Sequence, residues 1–327
     1  MTNGPNAAAD LESAGAAGRG PRPAVSIVLV AYDMARELPR TLYSLRPSYQ
    51  LGVDADDYEV IVVDNGSPRP LDHAELRSFP GCLRFIRLDG ASPSPARAAN
   101  HGLALAQGDL VGLMIDGARL ASPGLLSTAR RAALLADQPV ITCPAFHLGT
   151  TVHKRAAEVG YSREVEDELL ATSGWEADGY RLFEVSTLSG SSARGLFGPM
   201  GESNSLFMRR STWEGLGGVD ERFTLPGGGL ANHDLFQRAC ALDDSALIVL
   251  LGEGTFHQFH GGAATSGRFS WDEMHAEFVA IRGHDNRPPQ NRPLYVGSVP
   301  DPFLPYVERS SQLALSRLTA RKDRVAG

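Results

Sequence analysis

The 327-residue chain predicts an α/β fold built on a mostly parallel central sheet flanked by helices. Three observations carry that expectation. Runs such as Val25–Val30 and Tyr58–Val63 are apolar at every position or nearly so, the mark of strands buried on both faces. Segments of helical periodicity separate these strands, as β-α-β units require. Asp64 and Asp116 stand at the carboxyl ends of two of them, where ligands of parallel sheets bind.

The elements follow in order. Residues 1–22 lack the charged-then-apolar order of a signal peptide and read as a disordered N-terminal tail. VSIVLVAY is the first strand, and Leu38, Leu42 and Leu45 then recur at helical spacing. The second strand, Tyr58–Val63, stops at Asp64-Asn65-Gly66-Ser67, and Leu83–Leu88 alternates as a third. SPARAANHGLALAQG reads as a helix ended by Gly108, and DLVGLMID as the fourth strand, ending at Asp116. Pro123 suits the first turn of the next helix, and PVITCP is the fifth strand. From His147 to Met200 regularity fades, and the stretch reads as an insertion with long loops. Ser205–Arg209 restores a strand, GGGLANHDLFQRAC is a glycine loop running into a helix, and Ala246–Leu251 is the last strand. A helix near Trp271–Arg282, a Pro-rich segment and an amphipathic C-terminal helix complete the chain.

Composition narrows the function. With 43% hydrophobic and 21% charged residues the chain is that of a soluble globular protein. A net charge of -7 argues against a nucleic-acid partner. Cys82, Cys143 and Cys240 have neither metal-knuckle nor disulfide spacing, and read as reduced thiols of a cytoplasmic protein. No apolar run reaches the roughly 20 residues that span a bilayer. The Ala-, Arg- and Gly-rich composition is of the kind found in high-GC bacteria. Nothing in the sequence bears on oligomeric state.

After Val30 the sequence AYDMAREL has no G-x-G-x-x-G and no G-x-x-x-x-G-K-[S/T], so a Rossmann dehydrogenase and a P-loop enzyme lose their central support. Five other pieces stand in a telling order: VSIVLVAYDMARELPRTLYSL, YEVIVVDNGS, ARAANHGLALAQGDLVGLMIDGA, GESNSLFMRRSTWEGLGGVDERF and GGGLANHDLFQRA. In this order they resemble the family 2 glycosyltransferases of the GT-A fold, over about Pro23–Gly262. The resemblance implies a single GT-A domain at 23–265, with a nucleotide half at 23–122 and an acceptor half at 123–265 that holds the irregular insertion. A C-terminal helical extension occupies 266–327. It implies transfer of a sugar from a nucleotide-sugar donor, UDP-linked and with inversion, to an acceptor that the sequence does not name. The alternative is an inactive protein of the same fold that binds a sugar nucleotide or a glycan.

The resemblance also assigns residues. Asp64 and Asn65, with Ala31 and Tyr32, become the nucleotide pocket, joined by Arg97 and Asn100 of the following segment. A carboxylate at a strand end can accept from a base or a ribose, although an Asx turn would explain Asp64 equally well. Asp116 takes the place of the D-x-D metal motif, whose second aspartate is Ala118 here. One carboxylate is then left for a Mn²⁺ or Mg²⁺ ion that would neutralise the diphosphate. Arg119 beside it offers another way to offset phosphate charge. A further metal ligand comes from His257 or His260, with His260 preferred because Gly261 and Gly262 follow it. For the catalytic base the family's usual position falls on Ala231 or Asn232, so Asp234 leads, His233 is second and Glu202 third. Trp213 is open to a core or a sugar-stacking role, and Trp175, in the insertion, to a place in an acceptor lid.

Overall fold

The computed structural model describes residues 11–12, 22–69, 71, 73–90, 92–260 and 270–326. Most of the segment read as a tail lies outside these residues, as do Gly261 and Gly262. Within that segment, however, Leu11–Glu12 form a short strand, β1, paired antiparallel with Phe85 and Arg84.

Strands β2 (Val25–Ala31), β3 (Tyr58–Asp64), β4 (Cys82–Arg87) and β5 (Leu110–Met114) follow. They make the parallel half of the main sheet, in the spatial order β4-β3-β2-β5. Strand β6 (Arg119–Ala121) leaves for a second sheet and β7 (Gln138–Thr142) returns to the first. Strands β8 (Ala145–Leu148) and β9 (Ser186–Leu188) lie in the second sheet, and β10 (Leu206–Arg209) and β11 (Ser245–Leu250) in the first. Strand β12 (Thr255–His257) completes the second, and β13 (Leu294–Val296) extends the first beside β11. Among the described residues the large sheet has nine strands, with β1 and β10 running against their neighbours. The small sheet runs β6-β12-β8-β9.

Burial explains the uniform apolar strands. Ile27 and Leu29 of β2 pack beneath α1 (Leu38–Tyr43) and α4 (Leu125–Ala132). Val28 and Val30 face the opposite layer, where α3 (Ala96–Leu105), α6 (Arg210–Leu216) and α7 (Ala231–Cys240) supply Ala99, Trp213 and Phe236. Trp213 is buried and donates from Nε1 to Val111 O, so it belongs to the core. Because the chain goes from β2 outward to β4 and returns to β5 on the other side of β2, a switch point opens between the ends of β2 and β5.

Two expectations change. The insertion is not simply long loops: it holds a helix, Arg163–Ser173, capped by Ser162 and closed by Gly174 at φ 72°. Trp175, just after it, is buried against Tyr43 and Tyr49 and is not part of a lid. The C-terminal extension is not only helical either. A helix at Trp271–Arg282 and a long one at Leu304–Ala326 flank β13, which joins the sheet.

The small sheet escaped the sequence because three of its strands have three residues and the fourth has four, too short for periodicity. Its two faces differ sharply. The cross-strand row Leu120, Phe256, Phe146 and Leu188 enters a third apolar cluster with Phe183 and Phe303. The next row, on the opposite face, is Arg119, His257, His147 and Thr187.

Glu253 ties this sheet to its surroundings. Its carboxyl group accepts from Ser122 Oγ at 2.5 Å, Gly124 N at 3.1 Å and Tyr180 Oη at 3.0 Å. Burial pushes its pKa from 4.5 up to about 7, against the pull of these donors. The folded state therefore holds its proton more tightly than the unfolded chain, and stability falls as pH rises from 4.5 through about 7. We expect Glu253→Gln to remove about 2–3 kcal/mol of that decline, read from denaturation curves at both ends of the window.

Candidate active site

The switch-point crevice is built by loops stitched to one another. Asn65 N donates to Ala31 O at 2.8 Å, Gly117 N to Val30 O at 2.7 Å and Asp33 N to Ser67 Oγ at 2.8 Å. Asp33 adopts φ 54°, a left-handed conformation that turns the chain just after Tyr32. Tyr32 is left 49% exposed, so its ring is available to a planar ligand. Ala31 is buried beside it.

Asp64 does not line this crevice. It is wholly buried, accepting from Ser67 N and Oγ through Oδ1 and from Arg87 Nη1 through Oδ2. It closes the turn and holds Arg87, the Asx-turn role rather than ligand contact. Asn65 is also turned inward, donating to Ser92 O at 2.8 Å. Asn100 is likewise structural: it brackets the Gly-Gly-Val-Asp turn through Val219 N, Val219 O and Glu221. That turn needs glycine, because Gly218 sits at φ 68° and a Cβ there would lie 2.3 Å from Asn100 Oδ1. Arg97, in the first turn of α3, is exposed and free to meet a ligand.

Just past β5 the chemistry concentrates. Asp116 Oδ2 lies 2.7 Å from His257 Nε2 and 3.6 Å from His260 Nε2, and the two imidazole nitrogens are 3.1 Å apart. His257 ends β12 and His260 follows in the loop, which is how residues three apart reach one point. The sequence chose His260; the structure adds His257. Hydrogen bonding fixes its ring. Leu148 O can only accept, so His153 Nε2 donates to it at 3.1 Å and His153 Nδ1 is left as an acceptor. His257 Nδ1 lies 3.1 Å from that atom and must donate, which leaves Nε2 of a neutral His257 as an acceptor facing both Asp116 and His260 Nε2. Burial pushes His153 down to about 3 and His257 to about 4, so both are neutral near pH 7. Burial also opposes the charge on Asp116, yet the neighbouring imidazoles hold its pKa well below the usual range. His260 is raised: burial works against its charge, and the Asp116 carboxylate outweighs it.

A lone pair 2.7 Å from a carboxylate oxygen is repulsive unless a proton or a cation lies between them. Two imidazoles and a carboxylate, with donor atoms within 4.8 Å of one another, fit a divalent ion. A second group, His147, His153 and His257, fits less well. His147 Nδ1 already accepts from His153 N at 2.8 Å, and both His153 nitrogens are engaged. These residues orient the ligands instead.

Helix α5 (Arg163–Ser173) braces the loop that carries His260. Arg36 joins Glu37, Glu166 and Asp167 and donates to Phe259 O at 3.3 Å; Arg163 donates to His260 O at 2.6 Å; Glu166 accepts from Phe259 N at 2.8 Å. No spacing in the sequence joins Arg36, His147 or His153 to the site.

On α7, Asp234 is 2% exposed and caged. Its oxygens accept from Arg238 Nε at 2.9 Å, from Arg282 Nη2 at 2.8 Å and from Arg282 Nε. Both carboxylate oxygens are therefore already engaged by guanidinium donors inside the fold. His233 next to it differs. Its Nδ1 lies 3.5 Å from Glu202 Oε2, and its ring stands 5.8 Å from that of Trp271 on α8 (Trp271–Arg282). The glycine loop before α7 is tied to the donor side by Gly227 N, which donates to Pro93 O at 3.0 Å.

The comparisons agree with this architecture. The sequence profile described as "Glycosyl transferase family 2" matches residues 26–117, the span from β2 to the Asp116 turn. No curated protein sequence matches the chain. The structure of S. aureus TarS 1-349 in complex with UDP-GlcNAc is similar at TM-score 0.51 and 13% identity, over 78% of this chain and 66% of that one. TarS 1-349 alone gives TM-score 0.49 and 12% identity, over 72% and 60%. This chain thus spans slightly less than two thirds of either. Residues 26–117 thus carry a match to the family 2 glycosyltransferases, and the fold built around them is of the GT-A type.

Proposed function

We propose that this chain transfers a glycosyl group from a nucleoside diphosphate sugar, a UDP sugar by preference, to a nucleophilic acceptor with inversion. The observation that carries the reading is the convergence of Asp116, His257 and His260 at the end of β5, beside the switch point. The UDP and UDP-GlcNAc complexes of the structurally similar TarS make a uridine donor the first to test. A divalent cation held by Asp116, His257 and His260 would offset the charge that builds on the departing diphosphate.

The chain's own residues supply the remainder. Tyr32 offers a face to the base, and Arg97 an exposed cation at the start of α3. His233 is the proton acceptor: the Glu202 carboxylate lies 3.5 Å from its Nδ1, on the side away from Nε2, which would take the acceptor's proton. The acceptor oxygen or nitrogen then bonds to the anomeric carbon as the bond to the diphosphate oxygen breaks on the opposite face. The ring of Trp271 beside His233 supports reading the C-terminal extension as part of the acceptor side.

A panel of sugar nucleotides with Mn²⁺ or Mg²⁺, followed by thermal shift and donor hydrolysis, tests the reading. One donor should stabilise the protein and be slowly hydrolysed, and Asp116→Ala should lower hydrolysis by about 100-fold or more. Binding without turnover of any acceptor would leave a binding protein of the same fold, and the absence of donor binding would end the proposal. For the base, His233→Gln should cut transfer by about 10²–10⁴ with donor affinity kept. Asp234→Asn should act chiefly on stability, losing about 1–3 kcal/mol as its arginines lose their partner. A normally stable Asp234→Asn protein without transfer would restore Asp234 as the base.

A further inference from the structure

Arg119 is the least satisfied charge near the site. Its side chain is 9% exposed, and Nε and Nη1 are buried with no hydrogen-bond partner among the described residues. Its one ion pair is long, 3.8 Å from Nη2 to Asp116 Oδ2. A guanidinium has five donors and stays charged, so leaving it dry and unpaired is costly unless something else meets it. The backbone places it deliberately: Arg119 pairs across the small sheet with His257, in the same row and on the same face. Its positive charge helps to lower His257, His153 and His147 behind their burial. Asp116, at the guanidinium's edge, keeps 20% exposure, so solvent comes within one side chain of Arg119.

The charges then make a simple sum. Asp116 contributes one carboxylate and Arg119 one guanidinium, side by side at the edge of the imidazoles. A divalent cation entering alone meets almost no net attraction and a guanidinium nearby. A diphosphate entering alone meets Arg119 but also the Asp116 carboxylate. Together they cancel each other's cost.

We propose that Arg119 is an anion clamp for the donor's diphosphate, and that it makes cation and diphosphate binding mutually dependent. The idea rests on the donor reading above and goes beyond it, because it assigns to Arg119 the coupling between two ligands. Such coupling is reciprocal by linkage.

The test measures binding, not turnover. Mn²⁺ affinity of the full chain is titrated with and without UDP, and with and without inorganic pyrophosphate, for wild type, Arg119→Gln and Arg119→Lys. In wild type either anion should tighten Mn²⁺ by about tenfold or more. Arg119→Gln should bind Mn²⁺ alone more tightly than wild type and lose most of the coupling, while Arg119→Lys, which keeps the charge without the fork, should retain part of it. The ligand-free Arg119→Gln protein should melt at or above the wild-type temperature, because an unpaired buried charge has gone; a structural arginine would give the opposite sign. Wild-type coupling kept in both variants overturns the clamp and leaves the donor reading intact. If wild type binds neither UDP nor pyrophosphate at any Mn²⁺ level, both fall together.

Discussion

The 2.7 Å approach of His257 Nε2 to Asp116 Oδ2 sets the terms for much of the surrounding structure. A neutral imidazole holds that distance to a carboxylate by donating from Nε2 or, with its proton on Nδ1 as here, only if something positive serves both atoms. The tautomer is fixed from behind, through His153 to the carbonyl of Leu148. The chain of donors runs in one direction because a carbonyl cannot donate. A substitution at His153 would therefore free the ring without touching a ligand atom, which is how residues behind a metal centre govern it.

Position is fixed by the small sheet and the insertion together. Asp116 leaves β5, and β6 turns at once into the small sheet, where β12 returns with His257 in register with Arg119. The apolar row of Leu120, Phe256, Phe146 and Leu188 anchors one face in the third cluster, so the polar row has to face the crevice. Helix α5 then holds the loop beyond β12 through Arg36, Glu166 and Arg163. What reads in the sequence as a charged, irregular insertion is the brace of the site, its charges satisfied by one another and by backbone.

The main sheet was legible because its strands are long and buried on both faces, and Asp116 and His260 were legible because position and neighbouring residues marked them. The remainder was hidden for identifiable reasons. His153 and His257 are far apart in sequence and meet only through the register of β8 with β12. Asn100 has the residue type of a ligand contact, but its partner is a turn 119 residues away that no spacing rule reveals, and for Asp64 the sequence offers both a ligand and an Asx turn without the Arg87 that it holds. Asp234 has the position of a base, yet Arg282 reaches it from a helix 48 residues away. A motif fixes where a carboxylate sits along the chain and leaves open which groups surround it.

Ala118 shows the same limit from the other side. Beside a family pattern with two aspartates, an alanine looks like decay. In the fold, Ala118 is fully buried in the first apolar cluster, its N–H donates to Asp116 Oδ1 at 3.0 Å, and its carbonyl accepts from Gln258 N at 2.8 Å. A carboxylate on that Cβ would be charged among apolar side chains, a placement that folded proteins avoid. The residue that fits is small and neutral, and His257, one row across the small sheet, stands beside Asp116 in its stead. On the proposed reading, that exchange of a charged ligand for a neutral one removes the negative charge that would otherwise balance Arg119, so that the donor's diphosphate and a shared cation would take its place.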